Sequence, residues 1–445
     1  MKYFGTDGFR GEANRTLTAD QAYKIGRYVG WHFTEGAAHP ARLVVARDTR
    51  QSGTMLEAAI IAGLCASGVD VYDPGVIPTP SVSHVVREGR FDAGVMITAS
   101  HNPFYDNGIK LVNAAGHKME ESVLEKVEAY MDGQIQIGFA TDDHIGRAHS
   151  FEEGRQMYRD HLAEVAKGLS LEGVRIGLDC ANGAASDFAA YPFRLVGAEL
   201  MVINDTPDGQ NINVACGSTH IQALQQLVRD NGLDMGFAFD GDADRCIAVD
   251  GNGEVVDGDK ILYICGKYLA GKGALTHDTI VATVMSNIGF NKAVEAAGLK
   301  YELTGVGDKY VTACMREHGY VLGGEQSGHV VFADCEVTGD GIVTALQLTH
   351  AVQDAAISLA EAAAQMVQFP QLLVNVAVAD KRQAMDSREV QGAIDEVSQL
   401  LGTDGRVLVR PSGTEPLIRV LVEAGSDEIC ADMAERVASQ LRKFA

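Results

Sequence analysis

Three times along this chain an apolar run empties into a short polar loop and then into a helical pattern. Arg42-Leu43-Val44-Val45-Ala46 leads to Arg47-Asp48-Thr49-Arg50-Gln51-Ser52-Gly53, Val174-Arg175-Ile176-Gly177-Leu178-Asp179 to Cys180-Ala181-Asn182-Gly183, and Thr279-Ile280-Val281-Ala282-Thr283 to Met285-Ser286-Asn287-Ile288-Gly289. Strands that read as near-continuous apolar runs are covered on both faces, and the order strand, loop, helix is how a parallel sheet is threaded. Three diverged α/β units are therefore expected. The 445 residues are too many for one core, and at roughly 150 residues per domain three or four domains are expected.

Local signals sharpen this division. Thr18-Ala19-Asp20-Gln21 has capping-box spacing, and Ala22, Ile25, Val29 and Phe33 follow at helical period, so a helix should run to about Thr34. Polar, Gly-containing stretches near 133–150 and 251–259 mark boundaries, and Phe369-Pro370 interrupts an Ala-rich helical pattern. The predicted domains are residues 1–150, 151–253, 254–368 and 369–445. The last reads as strand (372–378), helix (387–401, stopped by Gly402), strand (406–409), strand (418–423) and a helix from about Asp427, a small α+β domain unlike the other three.

Composition excludes several classes of function. A formal net charge of −23 repels nucleic acid, so an anionic ligand needs a local nest of basic groups and amides. The eight cysteines include no Cys-x-x-Cys pair and form no compact framework, which fits reduced thiols. The first residues lack the apolar core of a signal peptide, and no run approaches the ~20 apolar residues of a membrane span. A cytoplasmic protein with no nucleic-acid or membrane partner is expected, and a homodimer stays open.

Four motifs carry chemistry. Gly94-Val95-Met96-Ile97 delivers Thr98-Ala99-Ser100-His101-Asn102-Pro103 to a strand end, where α/β sheets place their ligands. Such residues by themselves more often cap helices or make turns. Phe237-Ala238-Phe239 leads into Asp240-Gly241-Asp242-Ala243-Asp244-Arg245, three carboxylates at alternate positions that would repel without a cation between them. An acidic surface turn is the bland alternative, but apolar strands on both sides, including Cys246-Ile247-Ala248-Val249, bury its flanks. Oxygen ligands suit magnesium or calcium; Arg245 and Gly251 stand where a calcium loop needs Gly and Glu, so magnesium is expected. Arg410-Pro411-Ser412-Gly413-Thr414-Glu415-Pro416, with Arg419 nearby, offers a guanidinium, hydroxyls and a Gly on which backbone amides can curl around a phosphate, although a tight turn would use similar residues. Gly323-Gly324-Glu325-Gln326-Ser327-Gly328-His329 supplies an acceptor, a hydroxyl and an imidazole suited to vicinal sugar hydroxyls, with a plain Gly-rich turn as the alternative.

Together, in this order and over the whole chain, these motifs resemble the α-D-phosphohexomutase superfamily. The opening Phe4-Gly5-Thr6-Asp7-Gly8-Phe9-Arg10-Gly11, the Thr98–Pro103 loop and Gln326 resemble its bacterial members that act on glucosamine phosphate; relatives acting on mannose or glucose phosphates more often carry Met in place of Gln326. The resemblance implies three similar α/β domains with mixed sheets plus a smaller α+β C-terminal domain around a central cleft. It implies an intramolecular phosphotransferase in which Ser100 carries a phosphoryl group and Asp240, Asp242 and Asp244 hold one magnesium ion with it. Arg10, His101, Lys110 and Arg245 would surround the phosphoserine, with Lys110 or His101 as general base. Glu325, Ser327 and His329 would meet the sugar, and Arg410, Ser412, Gly413, Thr414 and Arg419 the non-reacting phosphate. Related hexomutases often carry a His where Gly307-Asp308-Lys309 stands here, so a sugar contact for Lys309 is carried over more loosely.

The implied reaction converts glucosamine 6-phosphate to glucosamine 1-phosphate through a 1,6-bisphosphate, with glucosamine or glucose 1,6-bisphosphate as activator, toward amino-sugar nucleotide and cell-wall precursors. The alternatives are a mutase for mannose or glucose phosphates, a metal-dependent sugar phosphatase, which would need only one phosphate site, and a non-catalytic sugar-phosphate sensor, which would have no use for a nucleophile beside three metal carboxylates.

Overall fold

The computed structural model describes residues 1–37, 40–412 and 416–445. Two compact units divide the chain: one comprises Met1–Val284 and Glu302–Ala363, the other Met285–Tyr301 and Ala364–Ala445.

The larger unit is built on three sheets. The first orders seven strands as Phe4–Gly5, Gly8–Glu12, Asp106–Asn113, Ala93–Ile97, Arg42–Arg47, Asp70–Val76 and Ala148–Ser150. The last four run parallel and the first three join antiparallel, so the sheet is mixed. Its predicted strand at 42–46 is observed as Arg42–Arg47, buried from Leu43 to Ala46. The helix Ala19–Thr34 begins at Thr18, whose side chain accepts from Gln21 N–H while the Gln21 side chain accepts from Thr18 N–H. That reciprocal cap satisfies two donors the first turn would otherwise leave open. Ala22, Ile25 and Val29 then pack with Leu56, Ile60 and Leu64 of the helix Gly53–Cys65 in one core. Burying each such aliphatic side chain is worth about 1.5–3 kcal/mol, which is why the amphipathic period decides the helix.

The second sheet orders Val255–Val256, Cys246–Asp250, Met235–Phe239, Arg175–Asp179 and Glu199–Ile203. Met235–Phe239 and Cys246–Asp250 are antiparallel neighbours, every residue of both is buried, and the aspartate run is the loop between them. After Arg175–Asp179 the chain differs from a regular strand-loop-helix unit. It makes a 3-10 turn at Ala184–Asp187 and a helix of only six residues, Ala190–Leu195. In the third sheet Thr279–Thr283, Leu322–Gly324 and Val330–Phe332 are successive neighbours.

In the smaller unit Leu417–Glu423 is the middle strand, antiparallel to Gln371–Ala377 on one side and Arg406–Pro411 on the other. Helices Arg388–Leu401 and Asp427–Leu441 start at Ser387 and Ser426, whose hydroxyls accept from Val390 and Ile429 N–H. Val390 and Val397 of one helix and Val437 and Leu441 of the other close a core with Val420 and Val422. Glu423, fully buried, accepts from Arg406 Nε at 2.6 Å and from Ile288 N–H at 2.9 Å, so the helix Ile288–Ala296 is tied into this unit. The expected strands and helices occur in the expected order, and a short helix at Lys381–Met385, capped by Asp380, is added after the first strand. Among the described residues no helix is long and apolar enough to cross a membrane.

Candidate active site

The strand Ala93–Ile97 carries the chain to Ser100, which has φ 51° and is 1% exposed. A left-handed conformation in a non-Gly residue costs roughly 1–2 kcal/mol, so surrounding contacts must hold it. Ser100 N–H donates to Thr98 Oγ1 at 3.0 Å, and the Thr98 hydroxyl donates to Asp48 Oδ2 at 2.6 Å. Arg50, paired with Asp48 at 2.8 Å, sends Nη2 to the carbonyls of Ser100 (2.7 Å) and Asn102 (2.9 Å) and Nη1 to those of Pro103 and Asp106 (3.1 Å). Asn213 Nδ2 donates to the Ser100 and Asn102 carbonyls at 2.9 and 3.2 Å. Both Asp48 and Arg50 are buried, and burial raises the Asp48 carboxyl against the pull of Arg50.

Asp240, Asp242 and Asp244 are buried, and one carboxylate oxygen from each lies within 4.8 Å of the others. Ala243, between Asp242 and Asp244, takes a left-handed φ of 58° in this loop. Ser100 Oγ donates to Asp240 Oδ2 at 2.6 Å. The loop meets the serine so closely that a Cβ on Gly241 would stand 2.7 Å from the Ser100 carbonyl oxygen. Lys110 Nζ donates to Asp242 Oδ2 at 2.7 Å and to Asp244 Oδ2 at 3.2 Å, and the Thr79 hydroxyl reaches Asp242 Oδ2 at 2.5 Å.

The electrostatics separate the carboxylates. Burial, then the charges of Asp244 and Asp242, push the Asp240 carboxyl far up. Burial acts in the same direction on Asp244, but Lys110, His329 and Arg245 outweigh it and hold that carboxyl far below its usual range. Asp242 Oδ1 and Asp244 Oδ1 are buried with no hydrogen-bond partner among the described residues. Orphaned acceptors converging among hard oxygen ligands are what a divalent cation would satisfy, so these residues fit magnesium.

Ser100, Lys110, Arg10, Arg245, Glu325 and His329 all line one cavity of about 650 Å³, and Lys309 also lines it. His101 Nδ1 stands 3.3 Å from Ser100 Oγ; burial, then Arg245 and Arg10, push its imidazole down to about 4. His329 shows the opposite shift. Burial would lower it, but Asp244, with Nδ1 3.7 Å from Oδ1, raises it to about 9. Arg245 Nε lies 3.9 Å from Asp244 Oδ1, and Arg10 Nη2 lies 3.7 Å from Asp7. Glu325 Oε1 accepts from Gly307 N–H at 3.0 Å, joining the predicted sugar loop to the loop before Lys309. Gly328, at φ 89°, makes that turn where a Cβ would strike the Cys246 carbonyl at 2.2 Å. Ser327 is exposed at the tip of the same turn.

Family models described as phosphoglucomutase/phosphomannomutase match the chain four times: alpha/beta/alpha domain I at residues 1–137, domain II at 156–253, domain III at 257–369 and the C-terminal domain at 373–440. A phosphoglucosamine mutase of Lachnospira eligens is 52% identical over 445 residues, covering 99% of this chain and 98% of its own. The chain belongs to the phosphoglucosamine mutase family. Another member, from Lachnoclostridium phytofermentans, is 49% identical over 443 residues, covering 99% of this chain and 98% of its own. A solved phosphoglucomutase/phosphomannomutase family protein from Burkholderia thailandensis superposes with TM-score 0.83 at 26% identity, covering 99% of this chain and 97% of that one.

In this member of the phosphoglucosamine mutase family, the predicted phosphate nest lies in the smaller unit. Arg410 and Arg419 face each other across the antiparallel pair of strands, and burial, with the Arg419 charge, lowers the Arg410 guanidinium. Like charges placed directly opposite destabilise a sheet unless an anion joins them, which favours a phosphate there. Ser412 follows at the strand end, its carbonyl accepting from Lys381 Nζ at 2.6 Å. Gly413 and Thr414 lie outside the described residues.

The sequence reading missed the scaffold of the reactive loop: Arg50, Asp48, Thr98 and Asn213. Its one local sign is the charged run Arg47-Asp48-Thr49-Arg50 at the end of a buried strand, where a solvated turn would not need two arginines.

Proposed function

We propose that the chain interconverts glucosamine 6-phosphate and glucosamine 1-phosphate through a phosphorylated Ser100 and a 1,6-bisphosphate. The observation that carries this is Ser100 Oγ, held in a left-handed turn 2.6 Å from a carboxylate of the buried aspartate trio. Such a serine is aimed into the metal ligands rather than into a cap or turn.

Asp240, Asp242 and Asp244, with an oxygen of the Ser100 phosphoryl group, would hold one magnesium ion, which neutralises charge on the transferring group. In the first half of the cycle the bond from phosphorus to Ser100 Oγ breaks and one to the C1 hydroxyl oxygen of glucosamine 6-phosphate forms. The hydroxyl proton ends on Ser100 Oγ, with His101, 3.3 Å away, placed to hold it in transit. After the bisphosphate turns over, Ser100 Oγ attacks the C6 phosphoryl group, the C6 oxygen takes the proton, and glucosamine 1-phosphate leaves. Glucosamine or glucose 1,6-bisphosphate would restore the phosphoserine when an intermediate escapes.

Arg10, Lys110 and Arg245 surround the donated phosphoryl group with positive charge. Glu325 and His329 take sugar hydroxyls, Ser327 and Lys309 complete that contact, and Arg410, Ser412, Gly413, Thr414 and Arg419 take the passive phosphate. The product feeds amino-sugar nucleotide and cell-wall precursor synthesis in the cytoplasm, a compartment that suits eight free cysteines. The test is an isomerase assay on glucosamine 6-phosphate with magnesium and catalytic 1,6-bisphosphate, run on wild type and Ser100→Ala with intact mass recorded. Turnover in wild type, with loss of activity and of a phosphate-sized mass in the variant, is expected. Equal activity in both would sink the Ser100 mechanism, and preference for mannose or glucose phosphate would move the chain to that branch.

A further inference from the structure

Away from the aspartate trio, three side chains from distant parts of the larger unit converge: His84 on the helix Thr79–Glu88, His161 on the helix Glu152–Val165, and Glu336 after the strand Val330–Phe332. None is among the described residues lining the cavity that holds Ser100. His84 and Glu336 are 8% and 1% exposed. We propose that these three residues form a second metal site, for a borderline divalent ion such as zinc, that clamps the three segments together.

The donor spacing supports a metal. His84 Nδ1 and Glu336 Oε2 stand 3.2 Å apart, and two ligands at roughly 2.0–2.1 Å from a tetrahedral zinc stand about 3.3 Å apart. A proton fills that gap here, and an ion can replace it with little movement of either side chain. The ligand atoms of all three residues lie within 4.8 Å of one another.

The surroundings treat Glu336 as a ligand is treated. Oε1 is taken by Arg87 Nη1 at 3.1 Å and Val337 N–H at 2.8 Å, which fixes the carboxylate and leaves Oε2 turned to the imidazoles. Outer hydrogen bonds of this kind orient metal-binding groups. His161 Nε2 is buried with no hydrogen-bond partner among the described residues. A buried polar atom left open in a packed interior calls for an explanation, and a metal supplies one. Burial, then His84, also pushes the His161 imidazole down to about 4, keeping it neutral as a ligand must be. Nitrogen donors separate this site from the oxygen-only trio and favour zinc, cobalt or nickel over magnesium. A water would complete the coordination.

The experiment uses the full chain, stripped of metal and returned to saturating magnesium, then given zinc or cobalt. Wild type should retain one zinc per chain through dialysis against magnesium, show the strong visible absorption of low-coordinate cobalt, and unfold several degrees higher with zinc present. His161→Gln should lose the retained zinc, the cobalt band and the thermal shift while keeping magnesium-supported turnover. His84→Asn should behave alike, which covers the case in which His161→Gln fails to fold. Asp242→Asn should keep the zinc. Retention unchanged in both histidine variants, loss of zinc in Asp242→Asn instead, or no retention in wild type would each overturn the assignment.

Discussion

Arg50→Ala tests whether the reactive serine is held by the scaffold beneath it. Arg50 is 1% exposed and unites Asp48 with the carbonyls of Ser100, Asn102, Pro103 and Asp106. Removing one partner of a buried ion pair costs about 3–5 kcal/mol, because the other charge stays buried. Water entering the vacated space satisfies part of the freed carbonyls, so the total should stay near about 4 kcal/mol rather than the sum over every bond. The loop then relaxes from the left-handed Ser100 conformation, whose intrinsic cost is roughly 1–2 kcal/mol. Re-forming it for each turnover should lower kcat by roughly 5- to 30-fold with KM little changed, since a tenfold rate change is about 1.4 kcal/mol. Arg50→Lys keeps the charge but not the fork, so it should lose about half as much stability. Thermal unfolding and isomerase kinetics on the magnesium-loaded protein read both quantities. A stability loss under about 1 kcal/mol with kcat within about twofold of wild type would refute the scaffold argument.

Lys110→Met removes the cation lying between Asp242 and Asp244. Turnover should fall by roughly 100-fold or more while magnesium binds more tightly, because the carboxylates lose an internal competitor; weaker magnesium binding would contradict this. Glu128, 9% exposed, accepts the N–H groups of Lys2, Tyr3 and Phe4 at 2.7, 2.7 and 2.8 Å. Burial opposes ionisation, but those donors hold its carboxyl below the usual glutamate value. A folded-state value below the unfolded one gives stability that is complete above the unfolded value and lost as pH falls through the folded one. Glu128→Gln should therefore be less stable than wild type near neutral pH by about 1–2 kcal/mol, read from thermal unfolding, and the gap should close in acid; a gap constant with pH would exclude the carboxylate as its source.

What the sequence shows depends on how far apart the partners lie. The strands at 42–47 and 279–283 and the Thr18 cap are legible because their signals are contained within a few residues, as are the three alternating aspartates. The short helix Ala190–Leu195 is harder to foresee, since six residues are too few to show a helical period. Arg50 lies 50 residues from Ser100, and Asn213 lies 113 from it. Each is an ordinary polar residue until the fold brings it under the loop.

The same geometry links phosphorylation to the cation. In the unphosphorylated state Ser100 donates its only hydroxyl proton to Asp240 at 2.6 Å, and burial with two neighbouring carboxylates already disfavours charge on Asp240. A phosphoryl group removes that donor and brings roughly −1.5 to −2 charge to the place it occupied. Lys110 is already engaged with Asp242 and Asp244, and Arg245 lies 3.9 Å from Asp244, so the nearby side chains are partly spent before the phosphate arrives. The Oδ1 atoms of Asp242 and Asp244, which accept no hydrogen bond among the described residues, then need a cation more than before. Coupling of this kind is reciprocal: whatever factor phosphorylation adds to magnesium affinity, magnesium adds to the stability of the phosphorylated form. Magnesium titrations of thermal unfolding, run on phosphorylated and dephosphorylated wild type, should give a midpoint at least tenfold lower for the phosphoprotein, equal to about 1.4 kcal/mol of coupling. Ser100→Ala should match the dephosphorylated protein. Equal midpoints for the two forms would mean that the phosphoryl group does not share the cation with the aspartates, and the placement of Ser100 among the metal ligands would fall with it.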